Sequence, residues 1–293
     1  MLRFLALLLA LSRASAAAGA PTDTEIFGGL AFWRPSLDTR YDASYVPPKV
    51  GGINQLFELP DPRSQARQIL TLQGARGAGL GFGVNVYPHR VLGFQFLLDR
   101  ASVDIAGENP PHEVDLVWDS INFPFPDPVV RRASLAFDAR DSEGSLDELA
   151  LSFNLAARFG RQAPVSGSLS SGLSYFRFQG EARRLGALAG SLGGHAVLFT
   201  ELFEMSYETA TADALGLNLG GSLDVSLGSH AAVFVDGRFF WAPRTEVDVN
   251  LKEIVSANAI AVPFSRIQGY LEPRPVPIDP GFLRVLFGVK FRP

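Results

Sequence analysis

Cysteine is absent from the 293 residues. Disulfides, thiolate nucleophiles, cysteine-held metals and a cysteine-linked lipid anchor are thereby excluded. Charged residues are scarce, at 19%, below the usual quarter of a soluble domain. They carry a net charge of −4, with both signs spread along the chain. No basic patch suits nucleic acid and no acidic run forms a solvating tail. After Ala20 no stretch approaches about 18 consecutive apolar residues, so no membrane-crossing helix is expected. No repeat of about 20–50 residues recurs.

Glycine (29) and phenylalanine (23) are plentiful, and hydrophobic residues reach 47%, so the question is where so much apolar surface goes. The start, MLRFLALLLALSRASAAAGA, stands apart from the rest. Arg3 supplies a positive charge, Phe4 to Leu11 an apolar run too short to span a bilayer, and Ala14-Ser15-Ala16 and Ala18-Gly19-Ala20 offer small-residue cleavage patterns. This predicts a secretory signal peptide over 1–20, removed on export. Residues 21–293 are left as a single domain.

The final stretch, FLRVLFGVKFRP, splits at every second residue. Leu283, Val285, Phe287, Val289 and Phe291 form one set; Phe282, Arg284, Leu286, Gly288, Lys290 and Arg292 form the other. A period of 2 marks a β-strand with two unlike faces. The same alternation runs through 77–87, 91–99, 146–159, 214–228 and 230–241, and less cleanly through 24–34 and 166–179. Eight strands are predicted. Their connections alternate strictly. Tight turns fall at Pro88-His89-Arg90, Gly160 to Pro164 and Gly228-Ser229, and long segments at 36–75, 101–144, 181–212 and 243–280. Two further stretches, 131–140 and 195–208, have the composition of extra strand or helix, and the second could raise the strand count to ten.

One face of strand after strand is Leu, Val and Phe, while the other is Gly, Ser, Asn and charge. An eight-stranded barrel has room inside only for side chains. The small and charged face suits that narrow lumen, and the apolar face suits lipid, where Arg or Lys at mid-bilayer costs about 2–4 kcal/mol. Each alternating run is roughly the 9–11 residues of a tilted spanning strand. Phe32, Trp33, Tyr87, Phe159, Tyr175, Trp241 and Phe291 lie near strand ends, as girdle aromatics do. The expected fold is all-β, a closed up-and-down antiparallel transmembrane barrel whose last strand pairs with its first. Eight residues are expected to form a structural charge network in the lumen: Glu25, Glu148, Arg158, Asp224, Asp236, Arg238, Arg284 and Lys290. Glu25 and Lys290 should lie near the short-turn rim, with Asp236 and Arg238 further up beside Arg284. Buried charges at such depth need partners of opposite sign.

The signal peptide, eight alternating strands, alternating turn lengths and amphipathic last strand resemble the OmpA-like and OmpX-like outer-membrane β-barrels of Gram-negative bacteria. The resemblance spans about residues 24–293. It implies an outer-membrane location, short periplasmic turns, long extracellular loops and insertion by the barrel assembly machinery. That family usually ends on an aromatic residue; this chain places Arg292-Pro293 after Phe291. Partners implied are outer-membrane lipid and lipopolysaccharide, with a surface ligand that the sequence does not name.

Signs of catalysis are sparse. GAGLGFG at 77–83 has glycines at every second position and no following helix, so it fails as a dinucleotide loop; it reads as a lumen face that makes room for larger groups opposite. His89 and His230 sit at tight turns, and His112 and His195 in long segments. His112-Glu113 lacks the helix-spaced second histidine of a zinc protease. Asp138, Asp141 and Glu143 read as a solvated loop face. No catalytic residue, metal ligand or cofactor is expected. The expected role is a non-enzymatic surface barrel whose long loops bind a partner or ligand or stabilise the envelope; the alternatives are a small-solute, porin-like channel and, behind both, a hydrolase or acyltransferase.

Overall fold

The computed structural model describes residues 23–35, 38–46, 63–107, 112–121, 128–160, 163–192, 195–256 and 275–293; the leader expected over 1–20 lies outside them. Fourteen strands run in chain order: β1 (Asp23–Pro35), β2 (Asp38–Tyr45), β3 (Gln65–Tyr87), β4 (Leu92–Gly107), β5 (His112–Ile121), β6 (Pro128–Phe159), β7 (Val165–Leu192), β8 (His195–Thr209), β9 (Ala212–Ser226), β10 (Ala231–Trp241), β11 (Thr245–Val247), β12 (Val249–Ser256), β13 (Val276–Ile278) and β14 (Phe282–Phe291). The described residues contain no helix.

Eight of these strands close on themselves. The antiparallel order is β1-β3-β4-β6-β7-β9-β10-β14, and β14 returns to β1 with Ile26 opposite Phe291 and Pro35 opposite Phe282. The closure is staggered. From Thr24, pairing passes through Val86, Phe94, Leu155, Ser171, Leu219, Phe239 and Leu283, and returns to β1 at Arg34, ten residues further on. Such a stagger sets the strand tilt and leaves an eight-stranded interior only side-chain wide. The tight turns lie where the alternation placed them. At the β6–β7 turn Gly160 has φ of 69°, a left-handed conformation that favours glycine.

The ten-strand alternative is not adopted. The stretch 195–208 does form a strand, β8, but β8 pairs with the upper part of β7 and with β12, above the level where β7 meets β9. The stretch 131–140 continues β6. Within the described residues, the segments expected as loops are therefore largely sheet. β3, β6 and β7 rise beyond the barrel, and β6, with 32 residues, extends roughly 100 Å at about 3.3 Å per residue. β2, β5, β8 and β12 join them in a tall antiparallel wall ordered β2-β3-β5-β6-β7-β8-β12. Pairing satisfies the backbone groups that irregular loops would leave to water. The wall is one-sided, because β1, β9, β10 and β14 stop near the rim.

The outer face below the wall is an apolar belt. Ile26, Leu30, Phe82, Leu155, Leu169, Leu173, Leu215, Leu219, Leu223, Phe287 and Val289 are all exposed on it. Phe32, Phe159, Trp241 and Phe291 face outward too. Trp33 and Tyr87 depart from the expected girdle: both are buried and point into the lumen, at 2% and 1% exposure, because their positions fall on the polar phase of β1 and β3.

Candidate functional site

Inward positions of the eight strands fill the lumen in tiers. Nearest the short-turn rim, Lys290 Nζ lies 2.7 Å from Asp224 Oδ2 and 3.4 Å from Glu25 Oε2. Arg292 Nε donates to Glu25 Oε1 at 3.0 Å, and Asn85 Nδ2 donates to Glu25 Oε2 at 3.0 Å. The Lys290 ammonium also sits 5.6 Å from the ring centres of Phe27 and Phe234, within cation–π range. At the rim itself Arg158 Nη2 donates to Asp23 Oδ2 at 2.5 Å, its Nε to the Arg90 carbonyl at 2.8 Å, and its guanidinium lies over the Tyr87 ring. A polar cavity of about 280 Å³ opens here, lined by Asp23, Glu25, Arg158, Asp224, His230 and Arg292 among others.

The next tier crosses the lumen. Arg284 on β14 donates through Nη1 to Asp99 on β4 and through Nη2 to Asp236 on β10. Arg238 donates to Asn218 Oδ1 (2.5 Å), Gln95 Oε1 (2.8 Å), Ser170 Oγ (2.6 Å) and Asp236 Oδ2 (3.3 Å). Asn154 links the acceptors, donating to Gln95 at 3.1 Å and accepting from Asn218 Nδ2 at 2.7 Å. Both arginines are buried, at 1% and 0% exposure. Charge-assisted forks of this kind are the strong hydrogen bonds of protein interiors.

An aromatic layer closes the lumen above. Trp33 and Phe240 stack on opposite sides of the contact with Phe282, at 3.9 and 4.3 Å, and Phe176 meets Phe240 and Phe282 edge-on. Val247 of β11 and Ile278 of β13 belong to the same buried cluster, so the β11–β13 pair lids this layer.

Of the eight residues singled out from sequence, Glu25, Asp224 and Lys290 meet in the rim tier, and Asp236, Arg238 and Arg284 in the crossing tier. Arg158 stands apart on Asp23. Glu148 is buried with Oε1 lacking a hydrogen-bond partner; it lies opposite Ala101 and Phe178, away from the arginines. The eight leave out Asp99, Arg292 and the amides Asn85, Gln95, Asn154 and Asn218, although all sit on the polar faces read from the alternation. Asp99 and Gln95 share the polar phase of 91–99, which is the signal that could have found them. The side chains of His112, His195, Asp138 and Asp141 lie outside those described.

The glycine face of β3 has a definite use. A Cβ on Gly81 would come 2.6 Å from Asp99 Oδ1 and 3.0 Å from Leu286 Cδ1, and one on Gly83 would meet Phe27 and Leu97. Arg284 reaches Asp99 over β1 and β3 through this space. Gly81→Val is expected to push Asp99 off Arg284 and lower stability by about 1–3 kcal/mol. Gly237, whose Cβ would meet nothing within 4 Å, is the control. Urea midpoints of Gly81→Val and Gly237→Ala that fall equally would discount the role given to Gly81.

No protein-family model matches the chain, and no curated protein does. Solved structures do. The outer membrane protein OprG from Pseudomonas aeruginosa is 13% identical, with 92% of this chain and 95% of that one covered and a TM-score of 0.44. CarO from Acinetobacter baumannii is 14% identical over 82% of this chain and 99% of that one, with a TM-score of 0.28. The outer membrane protease OmpT from Escherichia coli is 9% identical over 92% and 96%, also with a TM-score of 0.28. No side chain's role passes from these structures to this chain. The closed eight-stranded barrel stands on the pairing of this chain's own strands.

Proposed function

We propose that this protein is a non-enzymatic, non-conducting outer-membrane barrel that holds a tall β-sheet wall outside the cell, where the wall binds a partner or braces the envelope. The apolar belt supports the membrane placement, since only hydrocarbon covers so much exposed Leu and Phe at no cost. The short turns then face the periplasm and the wall faces outward. The observation that carries the non-conducting reading is the crossing tier, in which Arg284 is gripped between Asp99 and Asp236 from opposite sides of the lumen. Four carboxylates (Glu25, Asp99, Asp224, Asp236) there and at the rim meet four cations (Arg238, Arg284, Lys290, Arg292), and their side chains occupy an interior that eight strands already make narrow. This favours a surface barrel over a small-solute channel. The test is conductance of the purified protein in a planar bilayer. Little steady current is expected; a large and stable pore would reverse the choice.

A further inference from the structure

The outer face changes character between two rows of paired residues. The row Phe82, Leu98, Leu151, Tyr175, Leu215 is the top of the apolar belt. Two residues higher run Leu80, Arg100, Leu149, Arg177 and Asp213. Higher again are Ala78, Ser102, Asp147 and Gln179. Arg100 and Arg177 thus stand on the boundary itself, flanking Leu149, two strands apart and roughly 10 Å between backbones at about 4.8 Å per strand. A groove of about 400 Å³ opens there, lined by Arg100, Asp147, Glu148, Leu149, Arg177, Phe178, Gln179 and Thr211. Arg100 is exposed and makes no hydrogen bond or ion pair with the described residues. Arg177 is pre-oriented, with Nε 3.0 Å and Nη2 3.4 Å from the Asp213 carboxylate, which also accepts from Tyr175 Oη at 2.7 Å. That leaves the Nη1 corner of Arg177 for a ligand.

We propose that this groove binds the phosphorylated headgroup of an outer-leaflet glycolipid. Arg100 and Arg177 take the phosphate, as the guanidinium fork suits its oxygens. The lipid's chains lie down over Leu98, Leu151 and Phe82, in direct continuity with the belt. The occupant is a lipid because the site sits where a headgroup sits, with hydrocarbon-facing side chains directly beneath and charged strand above. Asp147 and Glu148 are the carboxylates of the lining that oppose the anion; Asp147 lies one step to the aqueous side, Glu148 is buried on the lumen phase of β6, and Asp213 is already neutralised by Arg177.

The site rests on the membrane reading above, and the two fail separately. The full chain in detergent is presented with bis-phosphorylated lipid A and with the same lipid stripped of its phosphates, and bound lipid is counted by native mass spectrometry. The wild type is expected to prefer the phosphorylated form, and Arg100→Gln with Arg177→Gln to lose roughly tenfold or more of its affinity, as removal of charge-assisted contacts does. Asp147→Asn is expected to bind more tightly, and Lys252→Ala, away from the groove, to be unchanged. All variants are checked for slower or faster gel migration before and after boiling, the mark of a closed barrel. If the double variant lost that shift, Arg100→Gln alone, with no described contact to disturb, decides the matter. Equal binding of both lipids, or no loss in the arginine variants of a barrel that still shows the shift, overturns the site and leaves the membrane reading intact.

Discussion

Arg284→Ala is expected to lower the unfolding free energy by about 3–5 kcal/mol, the cost of removing one member of a buried ion-pair set. The side chain is fully buried, and its two Nη groups hold Asp99 and Asp236. Truncation leaves Asp99 without its cation and Asp236 with Arg238 alone. Urea titration followed by gel mobility of unboiled samples reads the midpoint, and flickering current in a planar bilayer reads the lost seal. Neutralising the whole set, Arg284→Met and Arg238→Met with Asp99→Asn and Asp236→Asn, should recover most of the loss, because desolvation opposes the attraction in such sites. An unchanged midpoint for Arg284→Ala would show that the fork contributes nothing to stability.

Leu219→Arg carries the second large effect. Leu219 lies midway along β9 on the exposed belt, between Ser171 of β7 and Phe239 of β10. A guanidinium at that depth costs about 2–4 kcal/mol in a bilayer. Ser102→Arg, above the boundary, should cost almost nothing. The fraction of refolded protein inserted into lipid vesicles separates the two. Equal insertion would remove the hydrocarbon from the belt and with it the membrane placement.

The fold was legible wherever two unlike environments press on one strand. In β9, Leu215, Leu217, Leu219, Leu223 and Val225 alternate with Asn218, Ser222 and Asp224, and the structure keeps that division between belt and lumen. The wall was not legible, because above the boundary the strands do not keep one face apolar. On β6 the run from Pro128 to Ser145 alternates poorly and falls in a long segment of which only 131–140 was expected to add strand or helix, although 128–137 pairs with β5 and 133–139 and 142–145 pair with β7. Trp33 and Tyr87 were misplaced as girdle aromatics since position near a strand end outweighed their phase, and phase decides which side a strand residue faces. In the lumen, charge drew attention to Arg238 and Arg284, while the uncharged partners that hold Arg238, Gln95 and Asn218, carry no such flag. Glu148 shows the limit from the other side: phase places it inward, but pairing depends on stagger, which sets it beside Ala101 and Phe178.

The route of Arg284 across the barrel bears on how long the folded molecule lasts. The β1–β14 seam joins strands from opposite ends of the chain, so its closure carries the largest loop-entropy cost and comes late in assembly. The Arg284–Asp99 pair passes over that seam, from the last strand to β4 on the far side of β1 and β3. A contact that forms only once the seam has zipped is missing from the closing transition state. It leaves the rate of closure nearly unchanged and slows reopening. The clasp therefore acts on lifetime: the closed barrel's persistence is set by an escape rate, more than by the equilibrium between its folded and unfolded forms.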